Sequence, residues 1–118
     1  MTPETPENAV INIEDLKDIM GGDMELIQDC FTDFVQDFPR DFEGIKNAVI
    51  EKNGIKLNAA AHKLKGTLRY LAAERAVDAA YVLELAGKSN HMEGIEDKLE
   101  ALNRECRKIL AFINGFKG

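Results

Sequence analysis

The run Ala59-Ala60-Ala61-His62-Lys63-Leu64-Lys65-Gly66-Thr67-Leu68-Arg69-Tyr70-Leu71 gathers the residues of this chain best suited to chemistry. On a helix turning about 100° per residue, Leu57, Ala61, Leu64, Leu68 and Leu71 fall on one stripe, the pattern of a bundle seam. His62 then points roughly 140° away from that stripe, so its imidazole faces solvent. Gly66 lies one turn further on along the same outer face, where a glycine costs a helix about 1 kcal/mol relative to alanine. Lys65 and Arg69, at i+3 and i+7 from His62, flank the ring with positive charge, and Lys63 and Lys56 add to it. An imidazole is largely unprotonated at neutral pH and is then a nucleophile. Cations within a turn of it, and a spot beside it without a side chain, suit a phosphoryl group and the protein that delivers it.

No Asp or Glu occurs from Asn53 to Ala73, although the chain carries 21 Asp+Glu against 15 Lys+Arg and a formal net charge of −6. One helix is kept basic on an acidic chain. A single basic stripe argues against nucleic acid as the partner, because a phosphate backbone calls for a broad basic face. Other chemistries are set aside by inventory. There is no Gly-rich phosphate loop to hold ATP, no Glu-x-x-His pair for a di-metal bundle, and no Ser or Cys placed to work with His62 in a triad. Cys30 and Cys106 lie in helical patterns without CxxC spacing and read as reduced core thiols, not a disulfide or metal site. His91 stands alone at the start of the last helical stretch. Exposure by itself would leave His62 a surface residue, so the assignment needs more than its position.

The segments Ala61-His62-Lys63-Leu64-Lys65-Gly66, Leu71-Ala72-Ala73 and Leu83-Glu84 supply it. Together they resemble the signature of histidine-containing phosphotransfer (HPt) domains, approximately A-H-x-L-K-G, then L-G-A, then L-E. Residues from about Asp23 to Phe116 match that family's helix lengths and order. Ala72 departs from the pattern where glycine is commonest, which bears on the turn and not on the reactive site. The resemblance implies that His62 attacks through Nε2 and that donor and acceptor are aspartyl phosphates of response-regulator receiver domains. It also implies that the receiver, not this chain, supplies Mg²⁺ and the acidic pocket, so no cofactor is expected here. Glu84 corresponds to a position where Glu or Gln hydrogen-bonds the other ring nitrogen; the alternative is an exposed pair with Lys88 at i+4. Lys65 reads as a surface lysine that neutralises phosphoryl charge and whose loss leaves folding unchanged, and Lys63, Gly66 and Arg69 read as partner-binding.

The elements that position these residues are helical. No Trp, only three Pro and many Ala, Leu, Glu and Lys favour helix over sheet. The expected fold is all-α, an antiparallel up-down four-helix bundle with a short additional N-terminal helix. At 118 residues the chain suits one core: a flexible lead-in over residues 1–11 and a single domain over 12–118. Asn12 caps the short helix, which Gly21-Gly22 ends. Asp23 opens a long amphipathic stretch with Leu26, Ile27, Cys30, Phe31, Phe34, Val35 and Phe38 inward and an acidic, solvated outer face. Pro39 predicts either a kink or a break there. Asn53 caps the histidine helix. The next runs from about Glu74 to Gly87, burying Ala76, Ala80 and Leu83 and leaning Tyr81 and Glu84 toward His62; the last spans about Met92 to Ile113. No apolar run approaches the roughly 20 residues of a membrane span, and the first residues lack the features of a signal peptide, so the expectation is a cytoplasmic protein without membrane contact. The partners expected are receiver domains and a hybrid histidine kinase, with the chain itself a monomer. Two other readings stay open: a helical module that binds a receiver or kinase without being phosphorylated, and the phospho-acceptor domain of a chemotaxis-type kinase on another chain.

Overall fold

The computed structural model describes residues 10–116, and every regular element among them is a helix. They are α1 (Ile13–Ile19), α2 (Met24–Ile50), α3 (Gly54–Tyr70), α4 (Glu74–Ser89) and α5 (Ile95–Gly115). Three of the helices start on side-chain caps legible in the sequence. The Oδ1 atoms of Asn12, Asp23 and Asn53 accept the backbone N–H groups of Asp15, Leu26 and Lys56 at 3.0, 3.1 and 3.0 Å. α1 ends where Gly21 and Gly22 take φ of +65° and +77°.

Pro39 does not break α2, which passes through it as one helix. A proline leaves the carbonyl four residues earlier without its helical donor, here that of Val35. Val35 is 45% exposed, so it lies on the solvent side of α2, where a carbonyl without its helical donor costs least. The same exposure narrows the expected apolar stripe: Val35 and Leu26 face outward, while Ile27, Phe31, Phe34 and Phe38 are buried. α5 begins three residues later than Met92, because Gly94 at φ +70° turns the chain left-handed just before Ile95. α4 runs two residues past Gly87 and stops on Asn90 at φ +57°.

The core is built from one face of each helix. Leu16 of α1, Phe31 and Phe34 of α2, Leu57, Leu64 and Leu68 of α3, Leu83 of α4, and Leu102 and Ile109 of α5 are all essentially inaccessible. Ile11 joins them, and the backbone N–H of Asn12 donates to the Ala72 carbonyl at 2.9 Å. The lead-in assigned to residues 1–11 therefore ends before Ile11, whose side chain burial draws it onto the core. Residues 1–9 of that lead-in lie outside the described residues.

α3 and α4 pack closest of all. A Cβ on Gly87 would stand 2.6 Å from the Gly54 carbonyl oxygen, and one on Gly54 would stand 2.7 Å from the Gly87 carbonyl oxygen. With no side chains at either position, the two backbones touch. Asn58 Nδ2 then donates to the Glu84 carbonyl at 3.0 Å, and Lys65 meets Tyr81 further along. The pairing climbs α3 as it descends α4, and this zipper carries Glu84 to the side of His62. Among the described residues, no helix is long and apolar enough to cross a membrane.

Candidate functional site

His62 stands on the outer face of α3 with its side chain 69% exposed. Its Nδ1 lies 3.0 Å from Oε2 of Glu84, and Nε2 has no hydrogen-bond partner among the described residues. A carboxylate is an acceptor only, so the shared proton belongs to Nδ1, the arrangement that in a neutral ring leaves the lone pair on Nε2. Glu84 bonds across to α3, not along its own helix to Lys88.

The second oxygen of Glu84, Oε1, forms an ion pair with Lys65 Nζ at 2.7 Å. Burial pushes the Glu84 carboxyl upward, but Lys65 and His62 overcome it and hold the carboxyl below its ordinary range. Lys65 is only 7% exposed, which corrects its reading as a surface lysine. Although it sits at i+3 from His62, it lies about 80° from the centre of the α3 seam, on the side that α4 covers. Its ammonium is enclosed by Glu84 and by the ring of Tyr81, whose centroid is 4.7 Å from Nζ. The sequence holds the signal for this burial in that angle, once a helix carrying Tyr81 and Glu84 is laid against it.

Gly66 is open: a Cβ there would meet no atom within 4 Å. Together with Ile19, Arg69 and Tyr70 it borders a shallow depression of about 400 Å³. Arg69 also lines a larger groove of about 570 Å³, shared with Asp15 and Asp18 of α1 and Glu74 and Asp78 of α4. Lys63 turns the other way, toward α2, where its Nζ lies 3.3 Å from Asp41. Lys56 pairs with Glu51 at 3.1 Å.

The remaining candidates do not join the cluster. His91 lies 3.9 Å from Glu93, both well exposed. Cys106 is buried in the core and its thiol is pushed up to about 12, while Cys30 packs its sulfur 3.9 Å from that of Met20. Both are free. Among the described residues, no three His, Cys, Asp or Glu side chains gather as a metal site would require. Residues 29–112, well over half of the chain, match the family model of the Hpt domain. No curated protein and no solved structure matches the chain.

Proposed function

The chain belongs to the Hpt domain family, whose members take part in phosphotransfer in two-component signalling, and from that premise we propose that it is a phosphohistidine carrier. His62 accepts a phosphoryl group from the aspartyl phosphate of one receiver domain and passes it to the aspartate of another. The observation that carries this reading is the Glu84–His62 contact at 3.0 Å. It supports a ring protonated at Nδ1 and nucleophilic at Nε2.

In the transfer the Nε2 lone pair attacks phosphorus, and the Nε2–P bond forms as the P–O bond to the donor carboxyl breaks. The electron pair leaves with the donor's aspartate. The ring keeps its Nδ1 proton and becomes cationic, and the Glu84 carboxylate beside that proton offsets the new charge. No proton has to depart, which favours reversal onto a second aspartate. Lys65 acts through Glu84, whose carboxylate it orients, in place of the direct neutralisation of phosphoryl charge that its spacing suggested. Gly66 and Arg69 border the face the receiver meets, with Lys63 at its edge. Mg²⁺ belongs to the receiver, and this chain needs no cofactor and no ATP site of its own.

The same reading takes the chain from Ile11 onward as a single domain, an antiparallel up-down four-helix bundle with α1 appended, acting as a monomer in the cytoplasm. Incubation with a phosphorylated receiver tests it: label should move to this protein as an acid-labile, base-stable adduct that His62→Gln abolishes. Binding without label would instead make it a helical interaction module. Label arriving only from a kinase's ATP site would make it an acceptor domain served by a separate kinase.

A further inference from the structure

The side chain that closes the Lys65–Glu84 pair from the solvent side is Tyr81. On α4 it lies one turn before Glu84, so a ring face and a carboxylate reach Lys65 from the same helix. Tyr81 is 46% exposed and contributes little to the core, yet its ring centroid lies 4.7 Å from Nζ. Lys65 itself is 7% exposed. An ammonium drawn this far out of water needs a substitute for its hydration shell, and one carboxylate oxygen at 2.7 Å and one aromatic face provide it. A lysine stem is long and flexible, and positions three apart are neighbours on a helix surface. Without the ring, the Lys65 ammonium is free to swing outward along the His62 side of α3.

We propose that Tyr81 is a positioning residue: its ring holds the Lys65 ammonium on Glu84 and thereby keeps the Glu84 carboxylate turned to His62 Nδ1, which selects the tautomer whose lone pair is on Nε2. The proposal rests on the reading of His62 as the phosphoryl carrier. The charged groups around the ring are few enough for the effect to be read. From α4 there are Glu84 and, one turn before Tyr81, Asp78. From α3 there are Lys65, Lys63, which is tied to Asp41 of α2, and Arg69, seven residues on toward α1.

The test uses the whole protein without a partner, in the wild type and in Tyr81→Phe, Tyr81→Ala, Lys65→Met and Tyr81→Ala/Lys65→Met. Nitrogen NMR reports the His62 tautomer, carbon NMR titrates the Glu84 carboxyl, and phosphoramidate, a small donor, reports the reactivity of Nε2. Tyr81→Phe keeps the ring face and should match the wild type. Tyr81→Ala should raise the Glu84 titration midpoint by about half a unit, the loss expected for one exposed cation–π contact. It should also populate the second tautomer and slow phosphoramidate modification about twofold to threefold. In the Lys65→Met background the same alanine should change nothing further, since Tyr81 acts only through the ammonium.

A Tyr81→Ala variant with wild-type Glu84 titration and wild-type tautomer would overturn the proposal. So would an equal shift in the presence and absence of Lys65. Failure of the carrier reading looks different: phosphoramidate would leave His62 unmodified in the wild type, while the titration and tautomer would still report on Tyr81.

Discussion

Gly66 separates a docking face from an ordinary helix surface, because substitution there should move stability and function in opposite directions. It lies in the interior of α3, where glycine is unfavourable by about 1 kcal/mol relative to alanine through the conformational freedom it loses on folding. A Cβ would meet no atom within 4 Å, so no clash subtracts from that gain. Gly66→Ala should therefore stabilise the protein by about 1 kcal/mol and raise Tm by roughly 3–6 °C for a chain of this size. Leucine is nearly as good a helix former, so Gly66→Leu should melt no lower than the wild type. Its side chain, however, would stand one turn from His62, with Cβ atoms only about 5–6 Å apart. The rim of a receiver would have to pass it to bring phosphorus within bonding distance of Nε2. Single-turnover transfer from a phosphorylated receiver should fall at least tenfold, a loss of about 1.4 kcal/mol or more in the transition state. Phosphoramidate needs no docking and should modify the variant at the wild-type rate. Transfer from the receiver at an undiminished rate would refute a role for the glycine in partner approach. A Tm several degrees below the wild type would refute the open geometry itself.

His62→Gln should abolish the adduct while Tm changes by no more than the few degrees an exposed site carries; label persisting on His91 would overturn the assignment. Lys65→Ala should slow transfer by about one to two orders of magnitude and also destabilise the fold by about 1–3 kcal/mol, since Glu84, with its side chain 16% exposed, loses its cation. An unchanged melt would return Lys65 to the surface class. Glu84→Gln should be less stable than the wild type at neutral pH. Because the folded Glu84 carboxyl titrates below its unfolded value, the stability it contributes is fully present above that unfolded value, about pH 4.3. It is lost as pH falls through the folded value, so chemical denaturation should show the gap closing in acid; a gap constant with pH would exclude the coupling. Ala72→Gly should raise Tm slightly, because Ala72 sits at φ +54°, a left-handed conformation that costs alanine about 1–2 kcal/mol, partly offset by about 0.5–1 kcal/mol of glycine chain entropy. A lower Tm would show that the Ala72 methyl, 8% exposed, packs more favourably than its backbone is strained.

Much of this architecture was legible because it is local. The caps at Asn12, Asp23 and Asn53 depend on one side chain and the first turn after it, and the α3 seam depends on spacing alone. Continuity through Pro39 was not legible, since it turns on which side of α2 Val35 presents to solvent, which is decided by packing. Nor was the late start of α5, where apolar periodicity extends to Met92 but the backbone at Gly94 does not. At the site, the exposure of His62 followed from its angle to the seam. The burial of Lys65 required knowing which flank of that seam α4 would cover.

The basic character of α3 illustrates the same limit and changes what the site does with charge. Read along the chain, Lys56, Lys63, Lys65 and Arg69 form a run of cations without a single acid from Asn53 to Ala73. In three dimensions the acids arrive from elsewhere: Glu51 on Lys56, Asp41 on Lys63 and Glu84 on Lys65. Among the described residues, Arg69 is the member of the run without an acid within ion-pair distance, and it lies seven residues from His62, roughly 10 Å along the helix axis. On the proposed carrier reading, a phosphoryl group on Nε2 would therefore meet, among the described residues, no ring of free cations of the kind that would hold a phosphate tightly. Its charge would be left to water and to whatever an approaching receiver brings. On that reading, weak local stabilisation would keep the adduct from becoming a trap before its release to the next aspartate, and the ion pairs that neutralise α3 would be what keeps it weak.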